Sequence, residues 1–407
     1  MLKKVIKYCV SRMGYLLPIK SKMSVKEARK LLNEFSSKPT GTCYTQNCID
    51  LQYDLQIIIP AYNAEEFIKQ CVESVLIQKS EYKILVVIIN DGSTDLTSMI
   101  LDKIKKDNEL NENIQLEIIN QSNKGFSGAR NTGLKCLKGR YIMLLDSDDI
   151  IPENTIKTMM DHALKTNADI IQGSWYDFNG DIKKEHIVNA KSKNISGYPW
   201  GKLYKYTIFE HFKFPEGYWF EDTPISFILT GLPLNIFLIN DIIYGYRLNN
   251  NGITAKSLNS NKSIDSYWIT ELCLEEFSKF NLQYDQRAYE YLLKQTLMTA
   301  GRICKQPWKV RESVFVLTSY LKNEYFDGFK TNDYKMMKLE KALEKKNDEL
   351  TAALEKSEKE STVKKLQEMR LHSDYERIKG ILDRIPPEII RAYTHRDSKT
   401  QEVRHYR

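Results

Sequence analysis

The sequence predicts an α/β fold in which a mostly parallel sheet is flanked by helices and followed by a helical annex. Three observations predict it. Short β-branched runs alternate with helical patterns from Leu55 to Gln172, and repeated strand-then-helix units build a parallel sheet covered on both faces. Two acidic turns, Asp91-Gly92-Ser93-Thr94-Asp95 and Asp146-Ser147-Asp148-Asp149, follow directly on the apolar runs Leu85 to Ile89 and Tyr141 to Leu145. Helical periodicity then returns from about Lys262 to Tyr325, as in Leu292, Leu293, Leu297 and Ile303.

Taken in order, residues 1–53 read as an amphipathic helix and a linker. Leu2, Val5, Ile6, Cys9, Met13, Leu16 and Leu17 share a helical period while Lys3, Lys4, Lys7 and Arg12 fill the other positions. Such a helix lies in an anionic membrane interface through residues 1–22, or packs on its own domain. A second short helix is expected near Val25 to Phe35, and Pro39, Gly41 and Asn47 break the pattern after it,. The catalytic domain, 54–255, opens with strand Gln56 to Ile59 and helix Ala64 to Leu76. Strand Ile84 to Ile89, helix Leu96 to Ile104, strand Gln115 to Ile119 and helix Phe126 to Leu137 follow, then strand Tyr141 to Leu145, helix Glu153 to Lys165 and strand Asp169 to Gln172,. From Trp175 to Leu248 aromatics and turns replace this rhythm, which suits specificity loops over the carboxyl edge of the sheet. A helical annex, 256–330, precedes a charged tail, 331–407, where Leu339, Leu343, Leu350 and Leu354 approach heptad spacing. That tail is either a solvated helix or a coiled coil that makes a homo-oligomer.

Composition narrows the class. A chain of 407 residues, 42% hydrophobic, can bury the cores of two or three domains,. The net charge of +7 comes without an aromatic-interleaved basic motif, so nucleic acid is not an expected partner. Seven cysteines, an odd count lacking Cys-x-x-Cys pairs, fit a reduced, cytoplasmic chain without a zinc site,. No run of 18 apolar residues is present, so no membrane span is expected.

The strand ends carry the chemistry. Pro60-Ala61-Tyr62-Asn63 stands where a dinucleotide-binding dehydrogenase would place Gly-x-Gly-x-x-Gly, so nicotinamide and flavin chemistry are disfavoured, as is a Walker ATPase,. A sugar-phosphate nucleotidyltransferase would also want a glycine-rich loop there. Asp91 is placed to accept hydrogen bonds from a uracil imide or a ribose hydroxyl, although Asp-Gly-Ser-Thr is equally a common turn and helix cap. Asp146 and Asp148 are harder to explain structurally, because clustered carboxylates at a buried strand end repel unless a cation intervenes. A divalent ion held by one or two carboxylates and a diphosphate satisfies them, while Asp149 is available to cap the next helix.

These residues together resemble the family 2 glycosyltransferases, inverting enzymes of the GT-A fold that use nucleotide-sugar donors. The resemblance runs from about Leu55 to Thr254 and includes Pro60-Ala61-Tyr62-Asn63 with Glu65, Asn90 to Asp95, and Asn123-Lys124-Gly125 leading into Gly128-Ala129-Arg130-Asn131-Thr132-Gly133. It continues through Asp146 to Asp149, Trp200-Gly201-Lys202-Leu203-Tyr204, Phe220-Glu221-Asp222 and Tyr246-Arg247-Leu248. It implies that Pro60, Tyr62, Asn63, Glu65, Asp91, Asn123, Arg130, Asp146 and Arg247 bind the nucleotide sugar. Asp148 would ligate Mn²⁺ or Mg²⁺, and Asp222 would be the catalytic base. Lys202 is expected to touch phosphate or acceptor, or to be an ordinary helix-start lysine. Glu221 would orient the base or contact acceptor hydroxyls, or face solvent.

Asn249-Asn250-Asn251-Gly252-Ile253-Thr254 departs from the pattern by lacking a His found in some relatives. The implied reaction transfers a hexosyl or N-acetylhexosaminyl group from a UDP-sugar to a hydroxyl of a glycan or lipid-linked acceptor, as in cell-envelope polysaccharide synthesis at the inner face of a membrane. The competing expectation is a catalytically silent GT-A scaffold that binds partners through its terminal helices.

Overall fold

The computed structural model describes residues 22–108, 113–192, 194–249, 260–334, 336–346 and 348. The expected interfacial helix of residues 1–22 falls, Lys22 apart, outside them, as do residues 250–259 and most of the charged tail. Contacts divide the chain into a unit spanning 1–346 and another spanning 347–407; all that follows concerns the first.

Helix α1 (Val25–Phe35) begins where the sequence places it, at a capping box. Ser24 Oγ accepts from the Glu27 amide at 3.2 Å while Glu27 accepts from the Ser24 amide at 2.9 Å, which satisfies two amides that a helix start otherwise leaves bare. Strand β1 (Cys48–Ala61) is followed by α2 (Ile68–Leu76), β2 (Ile84–Asp91), α3 (Thr97–Asp107), β3 (Ile114–Gln121), α4 (Gly125–Leu134) and β4 (Cys136–Leu144). These four strands lie side by side in the order β3-β2-β1-β4, all parallel. The chain fills one side of β1 first and then crosses to the other, so β1 and β4 flank a topological switch point. Ligands of open α/β sheets bind outside the carboxyl ends of strands at such a point. Every residue of β2 is buried, which is why its sequence is a continuous apolar run.

Beyond β4 the sheet turns mixed. Helix α5 (Thr155–Thr166) leads to β5 (Ile170–Asn179), β6 (Asp181–His186), β7 (Lys202–Lys205), α6 (Tyr206–His211), α7 (Thr223–Phe227) and β8 (Ile236–Arg247). Strand β7 inserts between β4 and β5, antiparallel to both. Strand β8 pairs parallel with β5, and β6 pairs antiparallel with it. The annex consists of α8 (Asp265–Glu275), α9 (Gln286–Arg302) and α10 (Trp308–Phe326). Among the described residues no helix is long and apolar enough to cross a membrane.

Several element boundaries differ from expectation, α2 opening at Ile68 and β4 at Cys136 among them, and three of the differences are instructive. β1 starts at Cys48, inside the segment read as a linker, so the 53/54 boundary falls within a strand. Helix α4 stops at Leu134, not Leu137, because β4 is already pairing with the start of β1, Cys136 beside Cys48. Gln56, 1% exposed, sits at this junction. Its Nε2 donates to the Gly133 carbonyl at 2.9 Å, and its Oε1 accepts from the Lys138 and Gly139 amides at 2.8 and 3.3 Å. One buried side chain thus joins helix end to strand start across an irregularity in the β1/β4 ladder. The third difference is β5, which runs on to Asn179 because β6 and β8 supply partners that its own sequence does not announce.

The described cysteines are all free thiols. Cys43 is buried and its amide bonds Glu276, while Cys48 lies against Cys136 with the two sulfurs 3.6 Å apart. Replacing Gln56 by Leu strands buried backbone groups at the α4/β4 junction; we expect a loss of about 3 kcal/mol in urea unfolding.

Candidate active site

The crevice is built from the turns after β1, β2 and β4. The first two are knitted to each other by side chains that the sequence assigns to ligand binding. Asn63, at φ 46°, accepts the Thr94 amide through Oδ1 at 2.8 Å, and its own amide donates to Ser93 Oγ at 3.0 Å. Glu65 accepts the Leu96 amide at 2.8 Å, and Asp95 accepts the Glu65 amide at 3.1 Å. Asn63 and Glu65 therefore shape the rim. Pro60 closes β1 half-buried, and Tyr62 stands 52% exposed beside it.

Asp91, 2% exposed, is the last residue of β2. Gly92 follows at φ +74°, with room for no side chain because a Cβ there would lie 2.9 Å from the Asn123 amide nitrogen. Asp91 Oδ1 accepts from Gln121 Nε2 at 2.6 Å and from the Lys124 amide at 2.9 Å. Both bonds go to one oxygen, so Oδ2 keeps its lone pairs for a ligand donor. Asn123 is exposed in the adjoining turn and caps it, its Oδ1 accepting the Gly125 amide at 3.0 Å.

Arg130, on α4 and 4% exposed, is the centre of the arrangement. It donates from Nη2 to Asp146 at 2.8 Å and from Nη1 to Glu221 at 2.6 Å. The turn after β4 and the turn before α7 are thereby drawn to one guanidinium. Glu221 neither faces solvent nor reaches outward; it is half-buried in this triad. Burial pushes its carboxyl up, to about 7, with Arg130 pulling down and the neighbouring Asp222 charge adding to the rise. Asp222 is half-buried at the start of α7, and burial raises its carboxyl too, against the charges of Arg302, Arg130 and Lys202.

Asp149 departs from the helix-capping role. It is 1% exposed and accepts from Tyr244 Oη at 2.7 Å and from the Arg247 amide at 2.7 Å. With the Ile150/Gly245 bridge, it fastens the acidic turn to β8. Arg247 completes this fastening: its Nε donates to the Asp148 carbonyl at 2.6 Å, its Nη2 to Gln70 at 2.7 Å, and its guanidinium lies between Phe67 and Phe178. Asp148 itself is half-buried, and its carboxyl is raised by burial and by the Asp146 charge. Asp146 and Asp148 thus crowd negative charge at one place, which favours a cation. Among the described residues no three His, Cys, Asp or Glu side chains form a ready metal cage.

Lys202 is not a helix-start lysine. It begins β7 fully buried, with Nζ donating to Ser196 Oγ at 2.8 Å and to the Tyr198 and Trp200 carbonyls at 2.6 and 3.4 Å. Burial pushes its ammonium down, to about 7, while Asp222 opposes the fall. The loop it braces carries a column of rings: Trp200 stacks on Tyr198 at 4.6 Å and on Tyr244 at 4.5 Å.

The family model for glycosyl transferase family 2 matches residues 56–219, the segment that supplies the crevice up to the turn before Glu221. That segment is similar to the family's domain. Among curated relatives, glycosyltransferase GlyA of Streptococcus pneumoniae serotype 4 is 32% identical over 218 residues, 48% of this chain and 30% of that protein. Glycosyltransferase GlyG of the same organism is 28% identical over 250 residues, 55% of this chain and 78% of that protein. The chain therefore spans less than a third of GlyA. Among solved structures, S. aureus TarS 1-349 in complex with UDP-GlcNAc has a TM-score of 0.41 at 17% identity, covering 69% of this chain and 95% of that one.

Residues that the motifs miss are Gln121 on Asp91, and Asp265 and Arg302 of the annex, which reach the Trp219–Asp222 turn. None has a local signature, because each is recruited by packing from a different element. Two outcomes test the geometry. Arg130→Met leaves two carboxylates sharing a site without their cation and should cost about 3–5 kcal/mol in denaturant unfolding. Lys202→Met strips three acceptors of their donor and should cost about 2 kcal/mol, with the change in hydrogen exchange concentrated at residues 196–202.

Proposed function

We propose that this chain transfers one sugar from a UDP-sugar to a hydroxyl of a glycan or lipid-linked acceptor, with inversion at the anomeric carbon and Asp222 as general base. One observation carries the reading: Arg130 ties the Asp146 turn to Glu221, so the donor-side acids and the residue beside the base share one crevice. Asp91 Oδ2 accepts from the nucleoside, with Tyr62 and Asn123 exposed on the rim beside it and Asn63 and Glu65 holding the rim's shape. Asp222 takes the acceptor hydroxyl proton as that oxygen attacks the anomeric carbon from the face opposite the departing diphosphate. Lys202 and Trp200 shape the wall between the two substrates. Asp148, with Asp146, would hold Mn²⁺ or Mg²⁺, which supplies charge neutralisation to the leaving nucleoside diphosphate.

The raised Asp222 carboxyl suits this task, since a base with a higher proton affinity accepts a proton more readily while staying ionised near neutral pH. Its sign is definite: activity should fall as pH drops through the raised Asp222 value. A panel of UDP-sugars assayed for UDP release with and without Mn²⁺ identifies the donor. Asp222→Asn should lower transfer by about 10²–10⁴-fold, and Asp148→Asn should remove the response to added Mn²⁺. Full transfer by Asp222→Asn would refute the base assignment, and the absence of UDP release from every sugar would favour the silent scaffold.

A further inference from the structure

The turn that presents the base is held from outside the matched family segment. Phe220, a non-glycine residue, sits at φ 63°, a conformation L side chains adopt only under constraint,. The constraint comes from the annex. Arg302, the last residue of α9, places its guanidinium carbon 3.7 Å from the Phe220 ring centroid. Its Nη1 donates to Ser266 Oγ at 2.8 Å, and Ser266, fully buried on α8, is shared with Thr299 at 2.8 Å, so the cation is fixed at its own end. Asp265, also fully buried, accepts the Trp219 amide at 2.9 Å. Two annex helices thus grip the chain one and two residues short of Glu221.

We propose that Arg302 is a positioning residue for the general base: stacked on Phe220, it fixes the Phe220-Glu221-Asp222 turn and sets a positive charge against the Asp222 carboxylate. The proposal rests on the assignment of Asp222 as base and extends the working site into the annex, beyond the motifs. A guanidinium over a ring face that is also tied to a buried hydroxyl has little freedom, so it defines the turn as well as its charge. The charged and titratable groups that face Asp222 are Arg302 and Tyr291 from α9, Arg130 from α4, Lys202 from β7, Tyr198 from the loop before β7, and its neighbour Glu221. Of the cations, Arg302 acts most strongly to keep the carboxyl ionised. Neutralising it therefore moves the protonation of Asp222 to higher pH.

The experiment follows Asp222 directly, in full-length protein labelled with ¹³C at the aspartate carboxyls, with the Asp222 resonance assigned by its loss in Asp222→Asn. In Arg302→Gln the titration of that resonance should move up by about one pH unit, and Arg302→Lys should return it most of the way. In parallel, UDP release from the UDP-sugar turned over fastest in the panel should fall about tenfold at the acid end of the profile and much less at the alkaline end. An unmoved resonance and an unchanged profile in a folded Arg302→Gln protein would overturn the proposal. Where that variant does not fold, Phe220→Leu removes the seat of the cation; a slower enzyme with normal thermal stability supports the proposal, and wild-type turnover overturns it. Failure of the base assignment is separate, because it shows as activity retained by Asp222→Asn whatever Arg302 does.

Discussion

A single guanidinium organises the crevice. Arg130 is buried, so its two carboxylate partners are not interchangeable surface pairs but the condition for its being there. Burying an unpaired cation costs several kcal/mol, a large share of the stability a fold has in reserve. Asp146 and Glu221 come from segments separated by α5, β5, β6, β7 and α6. Their meeting at Arg130 fixes how far the second half of the domain can sit from the first. The rest of the site inherits that spacing: Asp148 and Asp149 follow Asp146 on the same turn, and Asp222 follows Glu221.

The remaining polar residues divide into those that build and those that remain available. Asn63, Glu65, Asp95 and Asp149 spend their oxygens on backbone amides and a tyrosine hydroxyl. Such bonds hold irregular turns in one shape where no ladder can. Asp91 spends one oxygen, and Asp148 sits under the repulsion of Asp146 with the Asn249 side chain and its own backbone opposing the rise by hydrogen bonds. The contrast separates residues committed to holding turns from residues that keep acceptor capacity, within a set that look alike in sequence.

The α/β framework was legible because strand interiors buried on both faces write themselves as apolar runs, as β2 does. The acidic turns were legible for the related reason that carboxylates are conspicuous at the end of such runs. Neither the early start of β1 nor the short α4 was, since both depend on Gln56 and on pairing with a distant strand. Lys202 shows the same limit at the site: a lysine beginning a strand looks exposed in sequence, and only the carbonyls that fold around it show that it is internal. Arg302 carried no signal at all beyond the helical period of its neighbours. What sequence conveys well is periodic burial, and what it conveys poorly is which distant atom satisfies a buried polar group.

The thiols of Cys48 and Cys136 lie at the amino-terminal ends of β1 and β4, whereas the crevice occupies the carboxyl ends of the same two strands. A maleimide or a short bifunctional crosslinker at this pair would serve as a strain gauge on the central ladder, placed at the opposite pole from the chemistry. Donor binding that tightened the switch point would be transmitted along both strands and read as a change in thiol reactivity, with no label anywhere near the substrate.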